Sequence, residues 1–390
     1  MNTLYSISCT QVTKFSRNLR VFLNSGIPKP VTASWKYSKH GLFTKETFQT
    51  DNMSENEAQL LSDMANMGLS GSSHKVYKTA INHLKRCEIQ KDINLSLPFD
   101  VSKTIQYINY LLHARNVKAN TCEKYLSGIR MYHLAMGFDA PALRPAIVTL
   151  LLRGRENHDD MQSKLDNKGK RIAVTVPVMK LLKRRIRKME WSEARKRLVW
   201  AVSCICWNGS FRIHEILSKK RKEFDPLCTL LEKDVKLKLL EVEGMKEWVL
   251  NIYLKTQKQQ RIGNGTNVEI FGNDSFMCPI KAIKNWLQTS TLQKSSGLPI
   301  FRTENGECYT GADFNTDLIK LTSGYLEIGK LRAHSFRSGV ATEMARNGFT
   351  DEEIKRQGRW SSQAYLNYIK LNRLQRIKIS RHLIQKCTIS

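Results

Sequence analysis

Residues Leu331–Lys370 read LRAHSFRSGVATEMARNGFTDEEIKRQGRWSSQAYLNYIK. In this stretch His334 and Arg337 are three residues apart, so on a helix their side chains share one face and can bind a single anion. Further motifs follow in the order Gly358-Arg359-Trp360, then Tyr365 and Tyr368. His-x-x-Arg is common by itself, but this order of motifs is rare, and it predicts an anion site near the C-terminal end.

Length and charge indicate the class of protein. A chain of 390 residues exceeds one ordinary core and indicates two domains with tails. Its 63 Lys and Arg against 35 Asp and Glu give a formal charge of +28, which predicts an anionic partner, with nucleic acid as the first candidate. The longest apolar run, Leu198–Trp207, is about half a membrane span, so we expect no membrane association.

The nine cysteines are scattered along the chain, and Cys204-x-Cys206 is the only close pair. No zinc-ligand spacing appears, so we expect no metal site. Reduced thiols in a cytosolic or nuclear protein are the interpretation that this pattern favours.

The N-terminal segment 1–54 begins with 45 residues that contain seven Lys and Arg and no acid. This composition resembles a mitochondrial transit peptide and suits a disordered basic arm equally well. We expect a disordered basic arm over 1–54.

The pattern of apolar residues over 55–155 predicts a helical domain of four or five helices. Ile105, Ile108 and Leu111 recur at helical spacing, and Asn120 with Glu123 predicts an N-cap with a capping-box partner. The polar stretch 156–171 that follows is low in aliphatic residues, and it predicts an interdomain linker.

Residues 172–390 predict a second domain, mainly helical with a small antiparallel sheet. Its expected helices include Val178–Glu190, which is basic and amphipathic, and the buried run Leu198–Trp207, which ends at a turn over Asn208-Gly209. Trp248–Lys255 alternates as a strand does, and Val268–Phe271 can pair back onto it. Further expected helices are Ile280–Gln288, Phe314–Leu321 and one capped by Thr350 with Glu353.

Six residues in order carry a family resemblance: Arg212, Lys255, His334, Arg337, Trp360 and Tyr368. This set resembles the tyrosine recombinase or phage-integrase-like family, whose pattern is Arg, a hairpin Lys, His-x-x-Arg, His or Trp, and Tyr. The stretch AHSFRSG with IKRQGRWSS and AYLNYI is similar to the eukaryotic mobile-element branch of DIRS, Ngaro and Crypton type. The resemblance implies a SAM-like core-binding domain over 55–155 and a catalytic domain over 172–390.

The resemblance also implies a phosphoryl-transfer mechanism without metal, ATP or other cofactor. Arg212 and Arg337 would bind the non-bridging oxygens of a DNA phosphate while Tyr368 attacks it, leaving a 3′-phosphotyrosyl link. The remaining roles are His334 as base or proton relay, Lys255 as proton donor to the leaving oxygen, and Trp360 as a hydrogen-bond donor.

Several choices stay open at this level. Tyr365 is the alternative to Tyr368 as nucleophile, and Lys258 is the alternative to Lys255 as proton donor. Arg212 could instead form only an ion pair with Glu215, three residues on.

The run Lys219–Lys222 suits a nuclear localisation signal or a DNA-facing patch. The cations that we expect to face DNA are Lys118, Lys124, Arg130, Lys170, Arg171, Lys183, Arg184, Lys219, Lys220, Lys258 and Arg359.

The expected function is a nuclear, site-specific DNA recombinase or integrase of a mobile element. By resemblance it would act as a homotetramer on DNA, with one dimer per recombination site. Two alternatives remain, a catalytically silent DNA-binding derivative of a recombinase and an activity like that of type IB topoisomerases.

Overall fold

The computed structural model describes residues 29–30, 42–48, 50, 53–69, 71–165, 172–255, 265–289, 296–325 and 331–369. The chain forms two compact units, one of Ala33–Gly169 and one of Met1–Thr32 with Lys170–Ser390. Within the described ranges no helix is both long and apolar enough to cross a bilayer.

The first unit is a helical bundle. Its helices are α1 (Lys45–Phe48), α2 (Glu55–Met67), α3 (Gly71–Lys91), α4 (Val101–Asn109), α5 (Ala119–Ala135) and α6 (Ala146–Leu165). One π-helical turn, Tyr110–Ala114, continues α4. Helices α3 and α5 lie close together because Gly128 has no side chain: a Cβ there would lie 2.9 Å from the Tyr77 ring.

The expectation of a disordered arm over 1–54 is wrong for its described C-terminal part. The Phe43 amide donates to Asn66 Oδ1 at 3.0 Å, and Asn66 Nδ2 donates back to the Phe43 carbonyl at 2.7 Å. Ser54 caps α2 in a capping box with Glu57. These bonds fasten the segment before α2 onto that helix.

The predicted linker over 156–171 is wrong for residues 156–165, because α6 continues to Leu165. Arg155 Nε donates to Asp159 Oδ1 at 2.9 Å, an i,i+4 ion pair that stabilises the helix. Polar Glu, Gln and Lys are good helix formers, so low hydrophobicity alone does not end a helix.

Of the two predicted helix caps, one is confirmed and one is wrong. Thr350 with Glu353 forms the capping box expected from the sequence. Asn120 is not a cap, since α5 begins one residue earlier, at Ala119, after Lys118. The amide of Thr121 bonds instead to the Lys118 carbonyl at 2.9 Å.

The second unit holds the remaining elements. Its helices are α7 (Val176–Lys188), α8 (Glu193–Asn208), α9 (Ile213–Ile216), α10 (Pro279–Leu287), α11 (Gly311–Thr322), α12 (His334–Arg346) and α13 (Asp351–Gly358). Its strands are β1 (Lys29–Pro30), β2 (Glu223–Phe224), β3 (Val235–Val242), β4 (Met245–Leu254) and β5 (Thr266–Phe271). A helix-dominated chain with a small antiparallel sheet is the fold class that the sequence predicts, and it is confirmed.

The three-stranded sheet has the order β3-β4-β5, with both pairs antiparallel. The predicted pairing of Val268–Phe271 with the preceding strand is confirmed. Strand β3 is absent from the sequence prediction, although Val235, Leu237 and Leu239 alternate with lysines there. A turn at Glu243-Gly244 joins β3 to β4, and both residues have the positive φ, 52° and 78°, that tight hairpins need.

Helix α8 lies at the centre of the second core, where Val199, Val202 and Ile205 are almost fully buried. Helix α12 packs on the strand-like segment before α7, and the Val174 amide donates to the Ser335 carbonyl at 2.9 Å. Gly339 permits this approach, because a Cβ there would lie 1.9 Å from the Val174 carbonyl oxygen. This contact positions the whole of α12, which carries His334 and Arg337.

Replacing Gly339 by Ala should destabilise the second unit by at least about 2 kcal/mol, because a methyl group would collide with backbone that has no rotamer to change. The free energy of unfolding in urea, followed by circular dichroism, measures the effect.

Gly154→Ala is the matched control, since nothing lies within 4 Å of a Cβ at that helical position. It should leave stability unchanged or raise it by up to about 1 kcal/mol. Equal effects of the two substitutions would contradict the packing described for α12.

Candidate active site

The site is built around the turn that follows α8, residues Asn208, Gly209 and Ser210. The three successive backbone carbonyls of this turn each accept a hydrogen bond from a side chain near the C-terminal end of the chain. In order, the donors are Gln357 at 2.6 Å, Arg359 at 2.9 Å and Arg337 at 2.5 Å. The turn is therefore fastened to α12 and to the end of α13.

Local geometry makes the turn possible. Ser210 adopts φ 47°, the left-handed region that a non-glycine residue enters only when its surroundings hold it there. Gly209 lies against Phe211, and a Cβ on Gly209 would lie 2.1 Å from that ring. The predicted turn at Asn208-Gly209 is confirmed, and its shape aims the Ser210 carbonyl at Arg337.

Arg337 is fully buried. Besides its bond to Ser210, its guanidinium donates to the Gly358 carbonyl and stacks over Trp360, 4.3 Å from the ring centroid. The indole reaches this position because residue 358 is glycine: a Cβ there would lie 1.8 Å from a Trp360 ring carbon. The Gly-Arg-Trp motif thus builds one wall of the Arg337 site.

Arg212 lies two residues beyond the turn, at the start of α9. Its guanidinium donates to Glu215 Oε1 at 2.8 Å, and its amide donates to Glu215 Oε2 at 2.9 Å. The same Oε2 accepts from Arg359 at 3.0 Å. The carboxylate of Glu215, whose side chain is 6% exposed, is therefore shared by two arginines.

Two of the remaining predicted residues are placed by the C-terminal elements. His334 is the first residue of α12, half-buried and one turn before Arg337. Tyr368 ends a 3-10 helix, Gln363–Tyr368, and its side chain lies outside the described residues. The structure thus brings Arg212, Arg337 and Trp360 together, with His334 on the adjoining turn.

Solved structures provide the comparison for this arrangement. The XerH site-specific recombinase bound to palindromic difH substrate, a post-cleavage complex, matches with a TM-score of 0.55 at 13% identity, over 85% of this chain and 82% of that chain. The tyrosine recombinase fold is therefore the fold of this chain.

Two other solved structures match with lower TM-scores. The Tn1549 transposon integrase with transposon right end DNA has a TM-score of 0.49 at 15% identity, over 79% of this chain and 98% of that chain. A lambda integrase dimer bound to a COC' core site has 0.49 at 14% identity, over 79% and 91%. No protein-family model matches this chain, and a search of curated proteins finds no match.

On this tyrosine recombinase fold, Tyr365 is a core residue. Its side chain is fully buried, its ring lies 6.1 Å from that of Trp360, and Ile354 and Ile369 belong to the same cluster. Interaction with the Asp351 carboxylate raises the pKa of the Tyr365 phenol. A buried phenol that holds its proton more tightly than usual is poorly suited to nucleophilic attack.

Lys255 belongs to a second group of contacts. It follows directly after β4, and its ammonium donates to the carbonyls of Pro226 at 2.9 Å and Thr229 at 3.1 Å, and forms an ion pair with Asp234. Burial, the largest effect, lowers the pKa of Lys255, and Asp234 opposes that shift. Lys258, the alternative, lies outside the described residues.

Two of the predicted DNA-facing cations instead face the protein interior. The Lys183 ammonium donates to the Phe276 carbonyl at 3.1 Å and lies 5.2 Å from the Trp200 ring centroid. Arg359 is bound between Glu215 and the turn, with its guanidinium 4.8 Å from the Phe211 ring centroid. Both expectations are corrected: these cations hold the fold.

The other predicted cations divide into two groups. Those with exposed side chains are Lys118, Lys124, Arg130, Arg184, Lys219 and Lys220, the last of which also pairs with Glu223 at 2.6 Å. Those outside the described residues are Lys170, Arg171 and Lys258.

Gln357 and Ser210 are site residues that the sequence did not reveal. Ser210 offers no side-chain signal, because only its carbonyl and its φ are used. Gln357 has no motif beyond its place directly before Gly358. In the described part of the chain, no group of three or more His, Cys, Asp and Glu side chains is placed to hold a metal ion.

Arg359→Ala should destabilise the second unit by about 2–3 kcal/mol, because it removes a partner from buried Glu215 and leaves the Gly209 carbonyl without its donor. Urea unfolding measures this loss.

Arg356→Ala is the control from the last turn of α13, directly before Arg359, since Arg356 is exposed. Its effect should stay within about 0.5 kcal/mol. A stable Arg359→Ala protein that has lost only DNA affinity would show instead that Arg359 faces DNA.

Proposed function

We propose that this protein is a site-specific DNA recombinase that cuts and rejoins DNA through a 3′-phosphotyrosyl intermediate. The observation that carries the proposal is the pair Arg212 and Arg337, fixed at one turn of a tyrosine recombinase fold. Arg212, Arg337 and Arg359 bring three positive charges to this turn, and Glu215 brings one negative charge. The excess of positive charge suits a phosphate whose own charge increases during attack.

Fixed guanidinium groups suit this chemistry for a physical reason. Attack on a phosphodiester gives a five-coordinate phosphorus with two negative charges on its non-bridging oxygens. Arginine keeps its charge at every accessible pH and donates in a planar fork that matches two oxygens. Because Glu215 and the turn orient the arginines beforehand, little reorganisation remains for the transition state.

The proposed reaction balances within the chain. The Tyr368 oxygen bonds to phosphorus, and the bond from phosphorus to the 5′-oxygen breaks. His334 takes the phenol proton, directly or through water, and a lysine gives a proton to the leaving oxygen. Trp360 has an indole N–H that can donate but cannot accept a proton, so the basic role falls to His334. No cofactor takes part.

Tyr368 is the proposed nucleophile because Tyr365 is already used by the core. Tyr365 is fully buried, and the pKa of its phenol is raised beside Asp351. Tyr368 follows one 3-10 turn later, at the end of the segment Gln363–Tyr368. It also stands eight residues after Trp360, the spacing that the family resemblance implies.

The wider context is proposed on the resemblance and the charge. Double-stranded DNA is the expected partner of a chain with a formal charge of +28. Assembly as a tetramer on two duplexes, membership of a eukaryotic mobile element and nuclear localisation through Lys219–Lys222 complete the proposal. They rest on the sequence motifs quoted above.

Covalent trapping tests the proposed reaction. Nicked duplexes tiled across the DNA that flanks the coding sequence, together with a random-sequence duplex pool, should yield a protein–DNA adduct that survives denaturation. Tyr368→Phe should abolish the adduct, because phenylalanine has no attacking oxygen. Arg212→Ala should slow its formation by about 10²–10³-fold, as the loss of one charge-stabilising donor does.

Two results would contradict the assignment. One is wild-type protein that binds these duplexes and never becomes linked to them, as a catalytically silent derivative would do. The other is an undiminished adduct with Tyr368→Phe. Relaxation of supercoiled DNA without joining of two duplexes would indicate the topoisomerase-like alternative.

The proton donor is tested with a leaving group that needs no proton. With an ordinary 5′-oxygen, Lys255→Met should slow cleavage by about 10²-fold or more, and the wild-type rate should fall as pH rises through the lowered pKa of Lys255. With sulfur in place of the 5′-oxygen, both effects should nearly vanish. Lys258→Met is the comparison. If Lys258→Met, rather than Lys255→Met, slows cleavage with the 5′-oxygen and not with sulfur, Lys258 is the proton donor.

A further inference from the structure

We propose that Arg359 is a positioning residue for the reaction: it neutralises Glu215, so that Arg212 keeps its charge and its remaining donors for the phosphate. The inference rests on the proposed function. It gives a role in the chemical step to a cation that the sequence predicted to face DNA.

Arg359 has a backbone conformation that favours glycine. It follows the last residue of α13 and adopts φ 52° and ψ 48°, in the left-handed region. Glycine is the usual residue at this position after a helix, because a Cβ strains the backbone there. Strained residues cluster at functional sites, where their surroundings hold them. From this position the Arg359 guanidinium reaches both the Gly209 carbonyl and the Glu215 carboxylate.

The Glu215 carboxylate accepts three hydrogen bonds from two arginines. Its Oε1 accepts from the Arg212 guanidinium at 2.8 Å. Its Oε2 accepts from the Arg212 amide at 2.9 Å and from the Arg359 guanidinium at 3.0 Å. Because Oε2 is occupied in this way, Glu215 and the Arg212 guanidinium do not form a bidentate pair. Only Nη1 of Arg212 takes part in the ion pair, so its other guanidinium nitrogens are left to donate to a phosphate.

Exposure separates the roles of the two arginines. The side chains of Arg212, Arg359 and Glu215 are 28%, 15% and 6% exposed. Arg212 is therefore the arginine that an incoming phosphate meets, and Arg359 is the more buried partner of the carboxylate. Burial, the largest cause, and the charge of Arg212 lower the pKa of Arg359, whereas Glu215 raises it. The carboxylate thus allows two guanidinium groups to lie together.

The charge of Arg359 should matter more for cleavage than for DNA binding. Three arginines, at 212, 337 and 359, against Glu215 give the site an excess of two positive charges. Five-coordinate phosphorus carries two negative charges, one more than the bound diester. Removing the Arg359 charge halves the excess and frees Glu215 to form a bidentate pair with Arg212. Both changes weaken the binding of the transition state more than that of the substrate.

Two substitutions in the full-length chain separate the charge of Arg359 from its hydrogen bonds. Arg359→Gln keeps an N–H donor and removes the charge, whereas Arg359→Lys keeps the charge. On a nicked duplex that wild-type protein cleaves, Arg359→Gln should slow single-turnover adduct formation by about 10- to 100-fold, and Arg359→Lys should slow it less. DNA affinity, measured by fluorescence anisotropy, should change by less than about twofold, since Arg359 contacts no phosphate of the duplex.

Adding Glu215→Gln to Arg359→Gln distinguishes neutralisation from a purely structural role. Neutralisation predicts that the double variant cleaves faster than Arg359→Gln alone, because the carboxylate charge that captures Arg212 is gone. If Arg359 only holds the fold, the second substitution should lower the cleavage rate further, and that result would overturn the inference. Rates refer to folded protein, verified by circular dichroism. If Arg359→Gln does not fold, Arg359→Gly replaces it, since glycine relieves the left-handed backbone.

Arg356→Gln is the matched control, because it removes the same charge from an exposed position in the last turn of α13. Its cleavage rate should stay within about twofold of wild type, since salt screens an exposed charge. Equal slowing by Arg356→Gln and Arg359→Gln, or a wild-type rate with Arg359→Gln, would overturn the inference and leave the proposed function intact. Absence of an adduct with wild-type protein would overturn the proposed function, and the inference with it.

Discussion

The structure depends on three adjacent backbone carbonyls, those of Asn208, Gly209 and Ser210, that point at side chains from the far end of the chain. Burying a carbonyl without a hydrogen-bond donor costs free energy, so each of these three carbonyls requires a donor. Two of the three donors are guanidinium groups, and hence the bonds that close the fold also concentrate positive charge. Stability and anion binding come from the same contacts.

This constraint explains why residues more than a hundred positions apart act as one site. The turn cannot keep the φ of Ser210 without support, and Arg337 cannot stay buried without acceptors. Glu215 extends the arrangement by sharing its carboxylate between Arg212 and Arg359. Each group is oriented by another that is already fixed, so the arginines have few alternative positions.

Much of this was predictable from the sequence, for identifiable reasons. Helix α8, the turn after it and the capping box at Thr350 follow from apolar runs, Asn-Gly and Thr-x-x-Glu, which are local signals. The direction of a basic side chain depends on residues that are distant in sequence. Lys183 and Arg359 look like surface cations in sequence, yet aromatic rings and Glu215 hold them against the protein interior. Strand β3 is not predictable in this way, because its alternation with lysine resembles a solvated segment until β4 pairs with it.

In the proposed reaction, Arg212 and Arg337 form one phosphate site. A crystal structure of the protein with vanadate, which mimics five-coordinate phosphorus, tests this arrangement. Vanadate should lie within hydrogen-bond distance of both guanidinium groups, with the carbonyls of residues 208–210 still bonded to their three donors. Vanadate bound elsewhere, or Arg212 directed away from an ion that Arg337 holds, would contradict a shared phosphate site.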